Sequence, residues 1–151
     1  MISFATLDEL RGAAGRHLGW TDWVDITQER VNLFADATGD HQWIHVDVDR
    51  ANAESPFGGP IAHGFLTLSL SNLFLPQLIE VPGASAGVNY GTGKVRFPSP
   101  VPVGSRVRGG AEITEVEDLP GGVQTTIVIT INVEGQEKPA CVIESISRWL
   151  A

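Results

Sequence analysis

The chain has 151 residues, 42% of them hydrophobic and 19% charged, which marks a globular protein long enough to bury a core. Its net charge of −8 argues against a nucleic-acid binder, whose affinity rests on neutralising phosphates. A single cysteine, Cys141, excludes an internal disulfide framework and any Cys-x-x-Cys site.

The N-terminus has no basic n-region and no long apolar run, so no signal peptide is read and a reducing cytoplasm is the expected setting. Thr6 to Leu18 reads as a first helix: Thr6 and Glu9 match a capping box, Leu7, Leu10 and Ala14 share a stripe, and Gly19 closes it. Asp22 to Ile26 is a short apolar-rich strand candidate. Thr27 caps a second helix, in which Val31, Phe34, Ala35 and Thr38 follow the i, i+3, i+4, i+7 pattern. Gly39 is a natural residue to end it, because glycine accepts positive φ.

Beyond Gly39 the chain sets Asp40, His41, His45 and Asp47 within a few residues. Carboxylate and imidazole are the groups best suited to moving protons near neutral pH. On a continuous helix, positions five apart point roughly 140° away from each other, so Asp40 and His45 meet only if the helix stops at Gly39. Taken alone, such a pair is a weak signal, and a capping aspartate beside a satisfied loop histidine is the plainer reading. Asp47 caps a brief helix over Val48 to Ala53, and Pro56 to Pro60 is a tight loop.

Ile61 to Ile79 contains no Asp, Glu, Lys or Arg. Its polar residues, Pro76 and the lack of flanking basic clusters argue against a membrane span and for a helix buried in a core. Ile61-Ala62-His63-Gly64-Phe65 opens it. Gly64 has no side chain to shield its amide, so an oxygen of a ligand can approach the positive end of the helix dipole there. The plainer alternative is that Gly64 merely lets the helix pack closely. His63 reads as a structural histidine bonded to a loop carbonyl.

The second half reads as strands: Ala86 to Tyr90, Gly93 to Phe97, Ser105 to Val116 with Gly109-Gly110 as a bulge, and Ala140 to Trp149. Val123, Ile127, Ile129, Ile131 and Val133 alternate with polar residues, strong evidence for a half-buried strand. Helices followed by antiparallel strands give an α+β class, with the sheet curled around the apolar helix. From Val81 to Ala111 there is no acidic residue, while Lys94, Arg96, Arg106 and Arg108 fall in that window. They make a positive patch suited to a phosphate-bearing ligand, or ordinary solvated strand faces.

The run Phe34-Ala35-Asp36-Ala37-Thr38-Gly39-Asp40-His41-Gln42-Trp43-Ile44-His45 resembles the signature of MaoC-like (R)-specific enoyl-CoA hydratases. In that signature an aromatic residue precedes a small residue, Gly-Asp, any residue, Asn-Pro, an aliphatic residue and His. Ile-Ala-His-Gly-Phe matches a second landmark, and Phe97 to Gly104 looks like the connection that follows; the likeness runs from about Thr21 to the C-terminus. One departure stands out: the usual Asn-Pro is Gln42-Trp43 here.

The resemblance implies a hot-dog fold, a homodimer, and reversible syn hydration of a trans-2-enoyl-CoA to the (R)-3-hydroxyacyl-CoA. Asp40 and His45 would then hold and deprotonate the water. The Gly64 amide would steady the thioester oxygen, and Gly39, His63, Lys94, Arg96, Arg106 and Arg108 would surround the bound acyl-CoA. No metal or other cofactor, membrane or nucleic acid is expected. The rival readings are an acyl-CoA thioesterase or acyl-carrier dehydratase on the same fold, a non-catalytic acyl-CoA binding subunit, and a metal site built on His41 and His45 with Asp40 and Asp47.

Overall fold

The computed structural model describes residues 1–151. A two-stranded parallel ribbon joins β1 (Ile2–Ser3) to β4 (Ile79–Glu80). The main sheet has six strands, antiparallel throughout: β2 (His17–Trp20), β3 (Val24–Asp25), β5 (Ala86–Arg96), β6 (Arg106–Leu119), β7 (Gly122–Val133) and β8 (Cys141–Leu150). Its order is β2-β6-β7-β8-β5, with β3 also paired to β6 beyond the end of β2. Six helices complete the chain: α1 (Leu7–Arg11), α2 (Gln28–Thr38), α3 (Trp43–Val46), α4 (Val48–Glu54), α5 (Gly64–Ser69) and α6 (Ser71–Leu78). No helix is long and apolar enough to cross a membrane.

The core lies between the sheet and α5–α6. β7 alternates as the sequence requires: Val123, Thr125, Ile127, Ile129, Ile131 and Val133 are buried, and the residues between them are half-buried. Each such aliphatic side chain contributes about 1.5–3 kcal/mol on leaving water. Leu66, Leu70, Phe74 and Leu78 meet this face from the helices.

Gly109 and Gly110 are not a bulge. Both pair regularly with β7, and the register shift in β6 falls between Ile113 and Glu115. The glycines instead make room. A Cβ on Gly109 would lie 2.7 Å from Phe74, and one on Gly110 would lie 2.6 Å from the Trp20 indole. The helix pair can lie close on the sheet because residue 109 has no side chain.

Three other expectations are corrected. The first helix ends at Gly12 rather than Leu18. Gly15 has φ of 84°, its N–H bonds the Ile113 carbonyl at 2.7 Å, and the chain is drawn onto β6 as β2, with Gly19 (φ 93°) at an irregularity in that pairing. The two short strands near Tyr90 are one strand, β5, interrupted by two register shifts. The apolar helix starts at Gly64 and divides at Leu70. There the Ser69 hydroxyl donates back to the Phe65 carbonyl at 2.7 Å, an interaction that bends helices, and Pro76 denies the Asn72 carbonyl its partner. Nor is that helix covered all round, since Phe65 is 68% and Leu73 40% exposed.

Candidate active site

Thr27 accepts the Arg30 N–H and starts α2, as its sequence position requires. The helix ends at Gly39, whose φ of 81° is left-handed and whose N–H bonds the Ala35 carbonyl at 2.8 Å. Gly39 therefore reverses the chain rather than lining the cleft that follows. Gln42 and Trp43 then take over the turn where the resembled signature has Asn-Pro. Trp43 occupies the first position of α3, where any residue with helical φ fits and where proline is favoured. Its indole carries the Arg50 guanidinium at 4.3 Å. The Gln42 N–H reaches back to Asp40 Oδ1 at 3.3 Å, so the turn survives the replacement.

The reversal brings Asp40, His45 and His63 together, one side-chain ligand atom of each lying within 4.8 Å of the others. A single water accepting or donating at about 2.8 Å on either side spans roughly 5.6 Å, so it can bridge Asp40 and His45. His45 is 8% exposed, and its Nδ1–H donates to the Ile61 carbonyl at 2.7 Å. That bond selects the tautomer and leaves the Nε2 lone pair free. Burial pushes His45 below the usual histidine value of 6.5 and a charge on His63 adds to this, while the Ile61 carbonyl and Asp40 oppose it. The ring is therefore neutral, and able to take a proton, at neutral pH.

His63 is buried and donates from Nε2 to the Asp40 backbone carbonyl at 2.9 Å, the loop-carbonyl bond read from the sequence. Its ring stacks on His45 at 3.9 Å between centroids. Gly64 follows it at the start of α5. The N–H groups of Gly64 and Phe65 have no acceptor within the chain. A Cβ on Gly64 would meet the Phe97 ring at 3.4 Å, an ordinary contact distance, so packing alone does not demand glycine here. Phe34, Thr38, Asp40, His45, Gly64 and Phe65 line, with His63, a cleft of about 210 Å³. Gly64 also borders a second cavity of about 390 Å³, bounded by Phe57, Ile61, Thr67, Phe97 and Val101 among others.

His41 does not join the cluster. It lies before α3, exposed, with Nε2 at 2.9 Å from Asp36, and that hydrogen bond raises it above the usual histidine value. Asp47 is occupied in capping α4 through the Arg50 N–H. The four basic residues are not brought together either. Arg106 grips Glu134 with two hydrogen bonds of 2.6 and 2.5 Å, and Arg108 lies between the Trp20 and Trp23 indoles at 4.8 and 4.6 Å. Both are on β6, with two strands, β7 and β8, between them and Lys94 and Arg96 on β5. Lys94 and Arg96 are exposed, make no ion pair, and precede Phe97, which packs on Gly64. The Ile61 carbonyl and the Phe34 and Phe65 rings were not legible as site components. A backbone acceptor leaves no mark on composition, and an aromatic on an amphipathic helix reads as core.

The profile of the MaoC like domain matches residues 9–134. The chain belongs to this family. Over 152 residues it is 57% identical to the 3-hydroxyacyl-thioester dehydratase Z of Mycobacterium tuberculosis, covering all of both chains. It is 42% identical over 151 residues to nodulation protein N of Rhizobium meliloti, covering 97% of this chain and 89% of that one. The unliganded (R)-hydratase of Pseudomonas aeruginosa superposes with a TM-score of 0.76 at 23% identity, over 96% of this chain and 85% of that one. That likeness shows the hot-dog fold, with the sheet wrapped on α5–α6.

Because burial dominates at His45 and the Asp36 hydrogen bond dominates at His41, the two rings are expected to titrate on opposite sides of 6.5. NMR titration of the imidazole carbons checks this. His45 should have its midpoint below 6.5 and His41 above it, and Asp36→Asn should lower only His41. A His45 midpoint at or above 6.5 contradicts the assignment.

Proposed function

We propose that this MaoC-like protein catalyses the reversible hydration of a trans-2-enoyl thioester to the (R)-3-hydroxyacyl thioester. The observation that carries the proposal is that Asp40 and His45 each bring a side-chain ligand atom within 4.8 Å of the other and line one cleft with Gly64, whose amide has no acceptor within the chain. Water held between the two side chains adds its oxygen to Cβ, and one water proton passes to the pair. A proton from the same pair reaches Cα. Between these events charge builds on the thioester oxygen, and the Gly64 N–H donates to it. One such donor is worth about 2.7–4 kcal/mol of barrier. The mycobacterial relative named as a 3-hydroxyacyl-thioester dehydratase supports the same reaction class.

The thioester lies in the smaller cleft, and the acyl tail enters the larger cavity across Gly64, against Phe57, Thr67 and Phe97. His63 borders the bound thioester, and Lys94 and Arg96 are the free cations for the phosphates of coenzyme A. Asp40→Asn and His45→Gln should each lower hydration of crotonyl-CoA by at least about 100-fold with the thermal melt preserved. The assay follows loss of enoyl absorbance and, in parallel, free thiol. Near-normal hydration in both variants contradicts the roles, and thiol release without hydration assigns a thioesterase instead.

The working unit is a homodimer. β5 has a hydrogen-bonded partner on one side only, and its eleven residues carry the exposed Val88 and Tyr90. A long edge with two exposed apolar side chains, tied to α6 by the Asn89–Asn72 hydrogen bond one residue from the uncovered Leu73, is a template for pairing with a second copy. Sedimentation should give twice the mass of the 16.2 kDa chain, and Leu73→Asp should shift it toward monomer. A monomer at micromolar concentration of the wild type refutes this arrangement.

A further inference from the structure

We propose that His63 is a positioning residue: it holds the Asp40 carboxylate and the His45 ring in the one arrangement that grips a shared water. The inference rests on the hydratase reading above, but its evidence is mechanical. His63 sits where three parts of the site meet. Its Nε2–H donates to the Asp40 carbonyl at 2.9 Å. The other ties on Asp40 are longer, its own N–H to the Thr38 hydroxyl at 3.4 Å and the Gln42 N–H to its carboxylate at 3.3 Å. The His63 bond is therefore the shortest hydrogen bond made by Asp40 itself.

The ring does a second job. One face lies on His45 at 3.9 Å with 26° between planes, and Phe34 lies against it at 4.9 Å. His45 is hinged at Nδ1 by the Ile61 carbonyl, and the His63 face limits how far the ring can swing about that hinge. The backbone does a third. His63 caps α5, with its carbonyl accepting the Thr67 N–H at 3.2 Å, so the residue that steadies acid and base also precedes the Gly64 amide.

One observation separates this from simple packing. His63 Nδ1 is buried with no hydrogen-bond partner. An apolar residue of similar size would fill the same space and leave no buried acceptor unpaired, so packing alone does not account for a histidine here. Nε2, the nitrogen that is paired, is the one that reaches Asp40. Misplacing a reacting group by about 1 Å costs on the order of 100-fold in rate. Loss of this tie is therefore expected to appear in kcat.

The test compares His63→Leu, which loses the donor, with His63→Gln, whose amide can place a donor where Nε2 stands. His63→Asn, too short to reach the Asp40 carbonyl, replaces the leucine variant if that one fails to fold. Thermal melts establish folding. In the variants without the donor, kcat for crotonyl-CoA should fall about 10- to 100-fold with KM changed less than about threefold, and His63→Gln should recover most of the loss. Amide hydrogen exchange over residues 40–46 should quicken about tenfold in the same variants and stay slow in His63→Gln. Exchange needs no turnover: a wild type that does not hydrate, with exchange behaving as described, sinks the hydratase reading and leaves the positioning role standing. Unchanged exchange and kcat in His63→Leu, or equal losses in the leucine and glutamine variants, overturns the positioning role.

Discussion

A helix that ran on past Thr38 would carry Asp40 and His45 to opposite sides of itself, and the cleft would not exist. The chain turns instead at Gly39, with φ of 81°, a backbone conformation that side chains with a Cβ rarely adopt. Asp40, Gln42, Trp43 and His45 owe their places to that one reversal. The turn also tolerates chemistry. Gln42-Trp43 preserves it because Trp43 meets the demands of a helix start and Gln42 supplies its N–H to the Asp40 carboxylate.

The second support lies in the sheet. The start of α5 reaches the turn from below only if α5–α6 lies close on β6 and β7, and Phe74 filling the space over Gly109 allows that approach. The bend at Leu70 then lets α6 lie along the core while Gly64 and Phe65, at the start of α5, line the same cleft as Asp40 and His45. Electrostatics follow from the packing. Burial favours the neutral His45 ring, and the carbonyl of Ile61, just before α5, decides which of its nitrogens is free.

Much of this was legible in the sequence where a residue has one physical use. Thr27, Gly39 and Asp47 act as the caps their positions require, and the alternation from Val123 to Val133 is that of a strand with one buried face. It was not legible where one residue serves two uses. Gly109-Gly110 suits a bulge as well as a close approach, and only the Phe74 and Trp20 rings decide between them. Gly12 and Gly15 weaken a helix in either case, but the pull of β6 on residues 15–16 is a long-range contact with no local signal. The basic window from Lys94 to Arg108 was misleading for the same reason. Residues near in sequence sit on β5 and β6, and β7 and β8 come between those strands.

If one water is shared by Asp40 and His45, both new bonds to the substrate form on the same face of the double bond. Hydration of crotonyl-CoA in D2O, with the product's relative configuration read by proton NMR coupling between C2 and C3, tests this directly. The account predicts a single diastereomer with deuterium and hydroxyl added to the same face. The opposite diastereomer, or a mixture formed before any exchange of the product, contradicts it.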